Sequence, residues 1–350
     1  MTSPRRAGMV LAVVAALTLT ACTAGSQREA ASTTPADTTT EEAAAADVET
    51  FQDDTTGGGE AAAVERLTFA VVTHGSAGDP FWDVVKTGAE TAGEEQNIQI
   101  DYQSDGDPGR QAQLIESAIS SNVDGLVVSM ANPDALREPL QRADEAGIPV
   151  VTINSGADRS REFGALTHVG QSEIIAGQGA GDRLLEAGVT NLVCVIHEAG
   201  NIGLEQRCQG AAESLGAEVM SLQVNVNNIS EAETTISTKL RADTTIDGVL
   251  TLNPAVAVAA VAAIDSAGST ATLATFDLNE DVVAAIKEGE ILFAVDQQQY
   301  LQGYLPVVFL ALFNRNANTV GGGRPVLTGP GYVTQENADT VEELAAEGTR

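Results

Sequence analysis

From residue 66 onward, short runs rich in β-branched and apolar residues alternate with longer stretches whose apolar positions recur at helical spacing. This alternation is the mark of βαβ units wound around a mostly parallel sheet. Strands are predicted at residues 67–73, 98–102, 125–129 and 149–154, the last completing a first series, with helices at 81–96, 109–121 and 133–146 between them. The pattern then restarts, with strands at 192–196, 218–224, 248–252 and 271–276, helices at 203–215, 230–241 and 255–267, and a late helix at 300–313. Two copies of one winding pattern, in a stretch longer than one core supports, predict an α/β chain of two doubly wound (Rossmann-like) lobes. No short-period repeat points to a solenoid.

The first 65 residues follow a different pattern. Arg5 and Arg6 precede an apolar run over residues 9–19 that ends in Leu19-Thr20-Ala21-Cys22. This reads as a signal peptide over residues 1–21, too short for a spanning helix. The last four residues resemble a bacterial lipobox, which would make Cys22 the lipidated first residue of the mature chain and place the protein outside the cytoplasm, lipid-anchored to the cell membrane. Residues 22–65 are mostly Ala, Thr, Glu, Asp and Gly, with almost nothing to bury, and are expected to form an acidic tether. A flexible coil of about 40 residues has an end-to-end distance on the order of 35 Å.

Charge narrows the partners. The formal net charge is −31, and phosphate binding needs a basic face, so nucleic acid is excluded as a partner. Besides Cys22 the cysteines are Cys194 and Cys208, on a predicted strand and the helix after it. An exported chain keeps disulfides, and these two are expected to pair.

In wound sheets, ligands bind beyond the carboxyl ends of the strands. The loops at those ends carry residues 74–79, Asn154-Ser155, residues 197–201, Asn253-Pro254 and Asp277-Leu278-Asn279. Sugars present hydroxyls around a ring with apolar faces, so Asn, Asp, Gln and Arg would supply hydrogen bonds, and Phe81 and Trp82 flat surfaces. Plainer readings stand beside these. Asp79 suits a helix cap before Pro80, and Asn154 a turn with Ser155-Gly156. Arg207 suits a surface pair with Glu205 or Glu213, and Asp277 a cap on a helix starting near Glu280. Either aromatic ring suits the core. His74 suits a hydrogen bond to a ligand hydroxyl or support of its loop, and His168 and His197 read as structural. Three dispersed histidines form no metal site, and no cofactor is expected.

Four blocks carry a resemblance: residues 78–82 (GDPFW), 123–128 (VDGLVV), 146–151 (AGIPVV) and 296–304 (DQQQYLQGY). Together they resemble the type I periplasmic binding proteins, specifically the ribose-binding-protein-like sugar receptors of ABC transporters, over residues 67–333. The resemblance implies a first lobe of residues 66–169 plus 298–327 and a second of 170–297 plus 328–347, closing about crossings near Gly170, Gln297 and Leu327. It implies a ligand set of Asp79, Phe81, Trp82, Asn154, Ser155, Arg207, Asn253, Asp277 and Gln297, with the two rings sandwiching the sugar, and Asn227 where some members place an aromatic residue. Asn154-Ser155 stand where many members carry Asp-Arg. With that charged pair replaced and one clear cation left, the implied ligand is an uncharged monosaccharide or cyclic polyol, with inositol-like or ketose ligands ahead of ribose. The implied partner is an ABC transporter permease, and the implied state a monomer.

An enzyme is the competing class, but no phosphate-cradling loop, nucleophile elbow or dinucleotide fingerprint follows a strand. The glycines at residues 177–181 have the wrong spacing for a fingerprint and are better explained by close helix packing. A regulator of the same fold would carry a basic module where this chain has a leader and an acidic stretch. A sugar-sensing receptor would share the same pocket.

Overall fold

The computed structural model describes residues 66–350 apart from Ala77 and Glu218. The signal peptide, Cys22 and the acidic tether therefore lie outside the described residues. The first elements are β1 (Thr68–Thr73), α1 (Pro80–Gln96), β2 (Gln99–Ser104), α2 (Pro108–Ser120), β3 (Gly125–Ser129), α3 (Pro133–Glu145), β4 (Val150–Ile153) and β5 (Thr167–Gly170). Next come α4 (Glu173–Glu186), β6 (Leu192–Ile196), α5 (Ile202–Leu215), β7 (Met220–Gln223), α6 (Ile229–Ala242), β8 (Gly248–Thr251), α7 (Pro254–Ala267), β9 (Thr272–Phe276) and α8 (Glu280–Glu288). The chain continues with β10 (Phe293–Asp296), α9 (Gln299–Asn316), β11 (Val326–Leu327), β12 (Gly331–Thr334) and α10 (Glu342–Ala346).

The strands form two six-stranded sheets, ordered β11-β5-β4-β3-β1-β2 and β12-β10-β9-β8-β6-β7. Every pair is parallel except β10 with β12. Parallel sheets need both faces covered, which explains why β3, β6 and β8 are buried along their whole length whereas the edge strands β2 and β7 are not. In the first sheet, Phe69, Val71, Val127 and Val151 pack under α1 and α9, and Val72, Leu126 and Val150 under α2 and α3. In the second, Cys194, Leu250 and Phe276 face α4 and α5, and Val193, Val249 and Ala294 face α6, α7 and α8.

The first series does not end at Asn154. β5 and β11 continue that sheet, and β10 and β12 do the same for the second. These strands are only two to four residues long, too short to show a period, and β5 contains the buried polar His168. The chain passes from one sheet to the other three times, at residues 171–172, 297–298 and 328–330.

Local chemistry starts the helices. Asp79, Asp107, Asn132 and Asn253 each precede a proline and accept a backbone N–H of the first turn through the side chain. The short polar cap satisfies an orphan amide, and proline at the next position loses no hydrogen bond. Glycine allows the closest helix contacts, because a Cβ at Gly177 of α4 would overlap the carbonyl oxygen of Arg207 in α5, and one at Gly303 of α9 that of Val85 in α1. Close helix packing is thus what the glycines of residues 177–181 serve. Cys194 on β6 and Cys208 on α5 form a disulfide, with their Cα atoms 5.8 Å apart. Among the described residues, no helix is long and apolar enough to cross a membrane, and no cluster of metal-ligating side chains occurs.

Candidate functional site

The carboxyl ends of the two sheets face each other, and the polar residues that follow the strands meet in the gap. From the first lobe come His74 after β1, Asp79 and Trp82 at the start of α1, and Asn154 after β4. From the second come His197 and Glu198 after β6, Arg207 on α5, Asn253 after β8, Asp277 after β9 and Gln297 after β10. Asn154 and Asp277 hold left-handed backbone, φ 61° and 70°. Such conformations are costly for non-glycine residues and cluster at functional sites.

Hydrogen bonds tie the lobes across the gap. Asn253 Nδ2 lies 3.4 Å from each carboxylate oxygen of Asp79. Ser155 Oγ donates to Asn201 Oδ1 at 3.2 Å, and Asn201 Nδ2 stands 3.3 Å from His74 Nε2. Asn154 Nδ2 donates to Gln297 Oε1 at 3.2 Å, and Gln297 Nε2 donates to Asp277 Oδ1 at 2.7 Å. Gln302 of α9 joins this chain by donating to Gln297 Oε1 at 2.8 Å. The backbone contributes one bridge, from Ile202 N to Ala131 O at 3.1 Å. The inner cavity is small, about 20 Å³, and adjoins an outer cleft of about 530 Å³ that shares His74, His197, Glu198 and Asn201.

Burial sets the electrostatics. It pushes the Asp277 carboxyl up to about 7 against the pull of Arg207, and Asp79 up to about 6 against its bond to the Phe81 amide. It holds His74 down at about 3, with Arg207 adding to the effect, and His197 at about 4. Both imidazoles are therefore neutral at pH 7, each ring offering one N–H donor and one acceptor nitrogen. His74 Nδ1 is fixed 2.6 Å from Ser129 Oγ, at the end of β3. His168 lies apart from the cavity, with Nδ1 3.0 Å from Thr152 Oγ1.

Several sequence readings change here. Arg207 makes no surface pair with Glu205 or Glu213. It is buried, donates through Nε and Nη2 to Glu173 at 2.6 and 3.1 Å, and stacks 4.6 Å from the Phe276 ring centre. Asp277 does not cap α8, since Asn279 accepts from Val282 N instead. Asp79 and Asn253 are caps and cavity walls at once. Phe81 and Trp82 meet edge to face at 81°, with centroids 4.9 Å apart, so the two cannot clamp opposite faces of one ring. Trp82 is also edge-on to His74 at 4.7 Å. Ser155 is buried and acts through Asn154 and Asn201. Asn227 is exposed on the outer cleft, away from the inner set. Glu173, Glu198 and Gln302 went unnoticed in the sequence. Glu198 sits in a strand-end loop and Gln302 in the 296–304 block, both themselves legible, but nothing marked Glu173.

Comparison with known proteins agrees with this architecture. Residues 69–313 match the family model described as a periplasmic binding protein domain. The chain is 24% identical over 254 residues to the ribose import binding protein RbsB of Haemophilus influenzae, covering 71% of this chain and 85% of that protein. It is 26% identical to a xylitol-binding protein of Mycolicibacterium smegmatis, covering 74% and 75% respectively. A carbohydrate transporter protein from Acidothermus cellulolyticus, crystallised in complex with myo-inositol, superposes with a TM-score of 0.80 at 41% identity, covering 81% of this chain and all of that one.

Proposed function

The chain belongs to the periplasmic binding protein family, the solute-capturing components of sugar importers, and from this we propose that it binds an uncharged cyclic polyol or monosaccharide, inositol-like ahead of ribose. The observation that carries the ligand class is the make-up of the gap. Carboxylates, amides and neutral imidazoles converge from both lobes around one arginine whose charge Glu173 already meets. Such a set exchanges hydrogen bonds with many hydroxyls and leaves no cation free for an anionic group. The myo-inositol held by the Acidothermus relative supports the same class.

In this reading the lobes move as units about the crossings at residues 171–172, 297–298 and 328–330, and a bound solute favours closure because only then do both lobes contact it. A binding role needs no catalytic residue. Cys22 carries the lipid that holds the protein at the outer membrane face, and a membrane permease receives the solute. The test is a thermal-shift screen of monosaccharides, polyols, amino acids and sugar phosphates, since a ligand of the native state raises its apparent stability. A cyclic polyol or neutral sugar is expected as the strongest hit. A best hit that is a sugar phosphate or amino acid overturns the reading.

A further inference from the structure

We propose that Glu173 is the positioning residue that sets charge selectivity: it holds the Nε–Nη2 edge of Arg207 and balances its charge, so that the arginine donates to hydroxyls and does not favour an anion. The proposal rests on the ligand reading above and names the residue responsible for it.

Arginine recognises a carboxylate or phosphate by presenting two parallel N–H groups at once. The side fork of Arg207 is taken by Glu173, with Nε to Oε2 at 2.6 Å and Nη2 to Oε1 at 3.1 Å. The other end is met by Asp277, whose Oδ2 is 3.8 Å from Nη1. One guanidinium face lies on Phe276. What remains is the Nη1–Nη2 end, whose charge Glu173 and Asp277 already balance, and its N–H groups are left to donate to hydroxyl oxygens. An incoming anion would stand beside the buried carboxylates of Glu173 and Asp277 with no uncompensated cation to pair with, which is strongly unfavourable.

Glu173 is itself held in place. It opens α4 immediately after the first crossing, and Gln171 within that crossing donates to its Oε2 at 3.0 Å. Its charge also reaches Asp277, which faces Arg207 from α5, Glu173 from α4, and Asp296 and Gln297 from the end of β10. Burial is the largest cause of the raised Asp277 carboxyl, Arg207 and Gln297 oppose it, and Glu173 and Asp296 add to it. With the Glu173 charge removed, Arg207 serves Asp277 alone, and Asp277 ionises at lower pH.

The experiment is calorimetric titration of the whole protein with myo-inositol and with D-glucuronate between pH 5 and 8.5, for wild type, Glu173→Gln and Glu173→Asp. Wild type is expected to bind inositol at least about 100-fold more tightly than glucuronate. Glu173→Gln is expected to raise the glucuronate-to-inositol ratio at least about tenfold and to move the midpoint of the inositol pH profile downward, which a merely structural role for Glu173 would not do. Glu173→Asp keeps the charge and is expected to keep the ratio and midpoint, while its shorter reach lowers inositol affinity. A folded Gln variant with unchanged ratio and midpoint overturns the proposal. If the Gln variant does not fold, an Asp variant equal to wild type in inositol affinity overturns it. Wild type binding both ligands comparably overturns the proposal alone, whereas wild type binding no neutral polyol or sugar overturns the ligand reading and the proposal together.

Discussion

Asn253 joins the two lobes at Asp79: its Nδ2 stands 3.4 Å from both carboxylate oxygens, while its Oδ1 accepts the amides of Ala255 and Val256 that open α7. Asp79 does the corresponding work for α1 through the Phe81 amide. Two helix starts thus face one another across the gap through their caps. At 3.4 Å the contact between them is at the weak end of hydrogen bonding, and a solute hydroxyl placed between the two side chains would make shorter bonds to each.

Asn253→Ala should therefore show two separable effects. Loss of the cap costs about 1 kcal/mol of stability, measurable by denaturant unfolding without ligand. Loss of the solute contact should weaken binding of the best screen hit by roughly tenfold or more, since a buried solute hydroxyl is left without its hydrogen-bond partner. A quench or enhancement titration of Trp82, the single tryptophan, measures the second effect.

Acid should destabilise the protein from about pH 6.5 downward. His74 is held at about 3, and His168 and His197 at about 4, whereas the unfolded chain takes up these protons near pH 6.5. Their stabilising contribution is complete above that value and is lost as pH falls. Asp79 and Asp277, raised to about 6 and 7, act in the opposite sense, since the folded state holds their protons longer. Three imidazoles against two carboxyls leave a net slope on the order of 1.4 kcal/mol per pH unit. His168→Gln should remove one proton from that slope with ligand affinity unchanged, as His168 lies outside the cavity. Denaturant midpoints at pH 7, 6 and 5 check both statements.

Replacing Cys194 and Cys208 with serine, or reducing them, should cost roughly 3 kcal/mol, the loop-closure value for a ring of this size. Unfolding with and without reductant reads the difference. Mass spectrometry of the native, non-reduced protein should find no free thiol at either position.

Cys22→Ser should release the protein from the membrane fraction into the soluble fraction, because the lipobox-like Leu19-Thr20-Ala21-Cys22 would lose its acylated thiol. Unchanged fractionation of the variant would exclude lipid anchoring at Cys22.

Much of this architecture was readable before any coordinates. The Asp79-Pro80 pair marks where a helix starts, and the β-branched runs of β1, β3, β4 and β6 mark buried strands. The rule that ligands sit beyond strand ends led from such runs to Asn154, Asn253 and Asp277. The elements beside the crossings were harder to see, because β5, β10, β11 and β12 are shorter than the period that would reveal them. Glu173 was missed for a related reason. Its partner Arg207 lies 34 residues away, and only the tight packing of α4 on α5 brings them together. Asn227 lies on the outer cleft because the loop after β7, an edge strand, stops short of the inner cavity.

The triple passage between the sheets also governs the order in which the molecule can be completed as it is synthesised. Helix α9, which covers Phe69, Val71 and Val127, and strand β11, which pairs with β5, both arrive after most of the second-lobe core has been made. The earliest strands must wait with one apolar face covered by α1 alone until residues 299–327 emerge. A chain stopped near residue 298 would leave both lobes unfinished, the first without its covering helix and the second without β12. Such a fragment offers a half-covered apolar sheet face to other chains, so aggregation is the expected fate of early-terminated chains, rather than release of one sound lobe.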